Sequence, residues 1–175
     1  MKKALALTTA GLLIMAALPA QAQTQDRGPQ AGDWEATLSG SGTSDNDDSD
    51  SLGVTGTIGK YMTDNVLLGL RQSGNFSDTA DDTTFTGATR IFGDVMLTDG
   101  PLQPFIGASL GGIYGEGVNN SFTAGPEAGL KYYADRKTFL YAQTEYQFTF
   151  QDSDAIDDAY DDGGWFHSIG IGFNF

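Results

Sequence analysis

The chain has 175 residues, 39% of them hydrophobic, no cysteine, and 23 acidic side chains against nine basic ones. That length holds one domain, and the lack of thiols excludes disulfide frameworks, thiolate metal sites and a lipid-modified N-terminal cysteine. The formal charge of −14 sets aside nucleic acid as a partner, and by the same repulsion anionic lipid headgroups.

The chain opens on Lys2 and Lys3, followed by an apolar stretch over 4–20 that is densest at 12–17 and ends in Ala20-Gln21-Ala22. A basic start, an apolar middle and small residues before the scissile bond predict a signal peptide over 1–22, cleaved after Ala22. Thr8, Thr9 and Gly11 interrupt the run, which falls short of the roughly 20 residues a spanning helix needs. A short periplasmic segment over 23–32 is expected next, then a barrel domain over 33–175.

From Asp33 onward the recurring pattern is alternation with period two, broken by turn residues, which is the signature of strands. Eight segments are predicted: 34–42, 52–61, 66–76, 84–97, 105–114, 122–134, 139–150 and 165–175. Each is about the length that a tilted strand needs to cross a membrane. Short connections are read at 62–65, 98–103 and 135–138. Longer ones are read at 43–50, 77–82, 115–120 and 151–164, and three of those four are strongly acidic. Short turns on one side and longer polar loops on the other are how outer-membrane barrels are built, with the short side periplasmic. Pro126 falls inside the sixth segment, where a missing N–H predicts a β-bulge.

Eight antiparallel strands make either a soluble barrel with an apolar interior or a membrane barrel with an apolar exterior. The more polar face here is rich in Gly, Ser and Thr, as a narrow, filled interior requires. It also carries Arg71 and Arg90 on neighbouring strands, and Glu127 and Glu145 on another neighbouring pair across the barrel. Buried charges persist only when paired, so these four are predicted to form an interior ion-pair cluster, with Glu35, Asp94 and Lys131 nearer the short-turn end. The apolar face of the third to eighth segments has no charge between its ends. Lys60 shares that face, but lies beside a short turn where its amine can snorkel. Trp34, Tyr61, Tyr132 and Phe173 are assigned to one aromatic girdle, and Phe76, Tyr114, Phe122, Phe150 and Trp165 to the other.

The final segment, Trp165-Phe-His-Ser-Ile-Gly-Ile-Gly-Phe-Asn-Phe175, is similar to the C-terminal signal of outer-membrane proteins. With pieces such as Met62-Thr-Asp-Asn-Val-Leu-Leu-Gly-Leu and Gly125-Pro-Glu-Ala-Gly-Leu-Lys-Tyr-Tyr, the chain resembles the small OmpA/OmpX-like outer-membrane barrels. The resemblance implies an all-β fold, an eight-stranded antiparallel up-and-down transmembrane β-barrel. It also implies that the barrel-assembly machinery reads Ile169, Ile171, Phe173 and Phe175. No peptidoglycan-binding domain is expected after Phe175, so cell-wall tethering by that route is not expected.

No catalytic constellation is read. His167, the one histidine, shares the parity of the lipid-facing Ile169 and Phe173, while Ser168 points the other way, so the two cannot act on one face. No cofactor is expected. Acids collect in the longer loops: Asp45, Asp47, Asp48 and Asp50; Asp78, Asp81 and Asp82; and Asp152, Asp154, Asp157, Asp158, Asp161 and Asp162. The plainer reading is a solvated, repulsive brush. The sharper one is a Ca²⁺ site at Asp154, Asp157, Asp158, Asp161 and Asp162, although the spacing is not that of an EF-hand. The expectation is a monomer of the Gram-negative outer membrane with a structural or surface-interaction role, in contact with membrane lipid and lipopolysaccharide. A narrow channel for small solutes and a soluble periplasmic lipid-binding barrel are the alternatives.

Overall fold

The computed structural model of the protein describes residues 28–44, 50–79, 82–115, 121–150 and 164–175. The expected signal peptide, Asp45, Asp47, Asp48, Asp81 and every acid of the 151–162 stretch lie outside them. Eight strands make up the fold: β1 (Trp34–Ser44), β2 (Asp50–Thr63), β3 (Val66–Thr79), β4 (Asp82–Met96), β5 (Leu102–Gly115), β6 (Ser121–Tyr133), β7 (Thr138–Phe150) and β8 (Gly164–Asn174). Each pairs antiparallel with its neighbours in sequence, and β8 returns to β1, giving a closed up-and-down barrel. Trp34 and Phe175 seal the seam by exchanging two backbone N–H···O bonds of 2.9 Å. Among the described residues no helix is long and apolar enough to cross a membrane.

The registers determine the width. Following the registers from Trp34 through Lys60, Leu68, Gly93, Ala108 and Pro126, and extending those of β6–β7 and β8–β1 beyond their paired residues through Tyr146 and Trp165, returns to β1 ten residues further along, at Ser44. With a rise of about 3.3 Å and a strand spacing of about 4.8 Å, that shear tilts eight strands by roughly 40° and sets a radius of about 8 Å. Side chains from opposite walls meet across such a lumen.

Every strand turns apolar side chains outward, with Leu38, Leu70, Ile106, Leu140 and Ile169 between 53% and 73% exposed. A water-soluble domain does not display an apolar belt of that extent. Trp34, Tyr132 and Phe173 lie exposed toward the short-turn end, and Phe76, Tyr114, Phe122 and Trp165 toward the other.

Three expectations need correction. Tyr61 is fully buried and does not belong to the girdle; it shares the parity of Thr57 and Gly59 and so faces the lumen. The connection read at 77–82 is mostly strand, because β3 and β4 stay paired through Asp78↔Thr83 and Thr79↔Asp82. Ladder hydrogen bonds continue where the apolar alternation has already stopped, helped by threonine's preference for strands. Pro126 makes no bulge. The β6–β7 register is the same on both sides of it, from Ala124↔Phe148 to Glu127↔Glu145, and only the two pairs between are missing. The N–H groups of β6 alternate sides: that of Tyr133 donates to Pro101 and that of Ala134 to Thr138. Position 126 therefore faces β7, and the absent donor interrupts that ladder alone, while Ala108↔Pro126 still pairs on the β5 side. Among the described residues the register shifts at Tyr61/Thr63, beside the β2–β3 turn.

Candidate functional site: two charged layers across the lumen

Strand pairing places like charges side by side. Arg71 on β3 is the direct partner of Arg90 on β4, and Glu127 on β6 that of Glu145 on β7. Like charges directly opposite on a sheet repel, so neither pair is stable alone. The curvature of the barrel turns the two pairs to face each other. Arg71 Nη1 lies 2.5 Å and Nη2 3.1 Å from the two Glu127 oxygens, a bidentate contact, and Nη1 also reaches Glu145 at 3.4 Å. Arg90 Nη1 donates to both Glu145 oxygens at 2.9 Å, and its Nη2 donates to Ser73 Oγ at 3.1 Å. Gln143 Nε2 donates to Glu127 at 2.9 Å, and Ser109 donates to Glu145. All four charged residues are at most 6% exposed. Charge-assisted, bidentate bonds are the strong kind, and burial this deep requires them.

A second layer closes the short-turn end. Lys131 Nζ lies 2.7 Å from both Glu35 oxygens and 3.1 Å from Tyr61 Oη, which itself donates to Glu35 at 2.8 Å. The ammonium stands 5.0, 5.5 and 5.6 Å from the ring centres of Phe139, Phe105 and Tyr61, so three rings share its charge. Arg71 makes a similar contact with Phe92 at 4.8 Å. Leu67, Met96 and Tyr133 fill the remaining space. The rings fit because inward glycines yield to them: a Cβ on Gly129 would overlap Phe105, and one on Gly172 would overlap Phe139. An interior of small and ionic side chains was expected. The lower half is instead an aromatic packing around one ion pair. The signal for it was the inward parity of Tyr61, Leu67, Phe92, Phe105 and Phe139.

Between the layers lies a void of about 10 Å³, bordered by Arg71, Asp94 and Lys131, room for about one water. Asp94 is buried and its Oδ1 has no protein partner. Above the upper layer a polar cup of about 250 Å³ is lined by Ser39, Thr55, Asn75, Gln147 and Phe166, with Arg90 and Glu145 also on its wall.

The other singled-out residues sit apart from these layers. His167 is exposed on β8, across from Thr144, and with Ser168 borders the cup above the upper layer. Ile169, Ile171, Phe173 and Phe175 are all exposed on the outer face. The candidate calcium ligands Asp154, Asp157, Asp158, Asp161 and Asp162 lie outside the described residues, and among the described residues no group of acidic or histidine side chains is arranged to hold a metal.

A closed eight-stranded barrel with an apolar exterior and an ionic interior defines a membrane β-barrel of the outer-membrane class. The chain belongs to the outer membrane protein beta-barrel domain family, whose pattern it matches over residues 8–175. No curated protein matches it in sequence. Among solved structures it is similar to the N-terminal β-barrel domain of Pseudomonas aeruginosa OprF, at 21% identity over 83% of this chain and 98% of that one, with a TM-score of 0.54. It is also similar to the Pseudomonas aeruginosa outer membrane protein OprG, at 11% identity over 86% and 99%, TM-score 0.58. A de novo designed transmembrane β-barrel matches at 16% identity over 85% and 99%, TM-score 0.51. Identities this low speak to the fold alone.

Proposed function

We propose that this is a monomeric structural and surface-interaction protein of the Gram-negative outer membrane, without catalysis and without a through-pore. In this reading the segment 1–22 is removed on export. The barrel-assembly machinery recognises the outward row Ile169, Ile171, Phe173 and Phe175, and the acidic connections meet lipopolysaccharide and the outside. The observation that carries the proposal is the lumen itself, crossed by two charged layers with space for about one water between them. A solute would have to break buried ion pairs to pass, and an acyl chain finds no enclosed cavity beyond the open cup above the upper layer, which argues against both the channel and the soluble carrier.

Planar-bilayer recording tests it. The purified barrel should insert and give no discrete conductance steps, and stable steps in chloride salts would make the narrow-channel reading the better one. Fractionation gives the second arm. The mature chain should require detergent for extraction and change gel mobility on boiling, whereas a detergent-free monomer in the periplasmic wash would overturn the membrane assignment.

A further inference from the structure

The net negative charge hides an uneven placement of the bases. From residue 28 onward the chain has six, and three of them, Arg71, Arg90 and Lys131, are inside the lumen. The other three, Lys60, Arg136 and Lys137, all lie at the short-turn end, and Lys60 and Lys137 flank the seam where β8 meets β1.

We propose that this sector of the short-turn rim binds the phosphate of an anionic phospholipid headgroup between Lys60 and Lys137, which rests on the membrane reading above. The row across the seam runs Lys60, Trp34, Phe175, with Lys137 one residue off it, opposite Asn174. Lys60 pairs with Trp34, Trp34 with Phe175, and the Lys137 carbonyl accepts the Asn174 N–H at 2.8 Å. Three strand spacings separate the ends, about 14 Å, a gap that one headgroup bridges when two flexible amines reach in from either side. Both amines are held on the lipid side. Lys60 Nζ stands 5.7 Å from the centre of the Trp34 ring, and Lys137 Nζ 5.9 Å from that of Phe173. Trp34, Phe173 and Phe175 are 43–53% exposed, with Phe173 and Phe175 stacked at 6.2 Å, and give the acyl chains an aromatic floor.

The nearby carboxylates of Asp33, Asp64 and Asp135 each accept backbone N–H bonds, which fix their positions and soften their opposing charge without removing it. Asp33 accepts from the Gln30 N–H, Asp64 from the Ala31 N–H, and Asp135 from the N–H groups of Lys137 and Thr138. The net charge repels anionic lipid as a whole, and the clustered bases of the rim reverse that locally. With the short turns periplasmic, the rim meets the inner, phospholipid leaflet.

Trp34 reports on the site directly once Trp165 is replaced by Phe. The full mature chain in phosphatidylcholine vesicles would receive equal fractions of brominated phosphatidylglycerol or brominated phosphatidylcholine, and Trp34 emission would be read. The expected result is stronger quenching by the phosphatidylglycerol, reflecting an enrichment of roughly fivefold per lysine at low salt. The difference should shrink as salt rises and vanish in Lys60→Gln/Lys137→Gln, whose folding is verified by gel mobility. If that pair fails to fold, the loss of preference with salt in the Lys-containing protein decides alone. Equal quenching by both lipids in a folded barrel would overturn the headgroup site while leaving the membrane reading standing. No quenching by either would overturn both.

Discussion

Glu145 is the point where the upper layer is most exposed to test. It accepts two bonds from Arg90, one from Arg71 at 3.4 Å and one from Ser109, at 4% exposure. Replacing it by Leu removes one of the two carboxylates that separate a laterally adjacent pair of guanidinium groups. Breaking a buried ion pair by deleting one partner destabilises by about 3–5 kcal/mol, and the bond that the Ser109 hydroxyl donates, about 1 kcal/mol, is lost besides. Water in the polar cup above offsets part of this, so the expected loss for Glu145→Leu is about 3–4 kcal/mol. Removing the charge on both sides, as in Arg90→Met/Glu145→Leu, leaves Arg71 with Glu127 and no orphaned charge. The double variant should recover most of the loss, giving a coupling energy of about 2–3 kcal/mol. Urea titration of the folded barrel in vesicles, followed by gel mobility, measures all four corners of the cycle. A Glu145→Leu variant within 1 kcal/mol of the parent, or a cycle whose single effects simply add, would refute the buried-layer argument.

Three further outcomes are expected. Leu70→Arg puts a charge on the outer face near mid-strand, where the side chain is 53% exposed; in a bilayer it should destabilise by roughly 2–4 kcal/mol, and a neutral effect in vesicle-based unfolding would mean that this face does not meet lipid. Gly172→Val should force the Phe139 ring from its place, with a loss of about 1–3 kcal/mol that Phe139→Ala partly relieves; the same urea titration reads it, and an unchanged midpoint counts against the packed lower layer. Pro126→Ala restores a donor facing β7, so hydrogen exchange should show the β6–β7 ladder more protected near Tyr146, with a gain of up to about 1 kcal/mol.

What the sequence reveals and conceals follows from the length scale of each signal. Strand parity is local, so eight strands and their outward faces can be read from alternation alone, and the parity of Arg71, Arg90, Glu127 and Glu145 identifies one face. Contacts across the lumen depend on shear, a sum over eight registers that no single segment encodes. That is why the ring-lined setting of Lys131, drawn from β2, β5 and β7, was not visible. Tyr61 went astray for a different reason. An aromatic at a strand end belongs equally to a girdle or a core by composition, and only its parity with Thr57 and Gly59 separates the two. Pro126 misled because its missing N–H admits two remedies, an extra residue or a skipped pair, and the backbone takes the second.

The arrangement of charges also accounts for why the chain closes in one register. A slip by one residue turns every side chain of a strand to the opposite face. On β3, β4, β6 or β7 that slip would carry Arg71, Arg90, Glu127 or Glu145 into lipid, at roughly 2–4 kcal/mol for an arginine near the midplane. Hydrophobic outward residues alone discriminate less sharply, since small inward residues such as Gly69, Gly107 and Gly129 tolerate lipid well. The like pairs add a condition on closure. Arg71 beside Arg90 and Glu127 beside Glu145 are each repulsive while the β3–β4 and β6–β7 hairpins are separate. They become favourable only when the sheet curls far enough to bring the hairpins face to face. Open sheets are thus disfavoured from within, and the interior ions act on closure as much as on final stability.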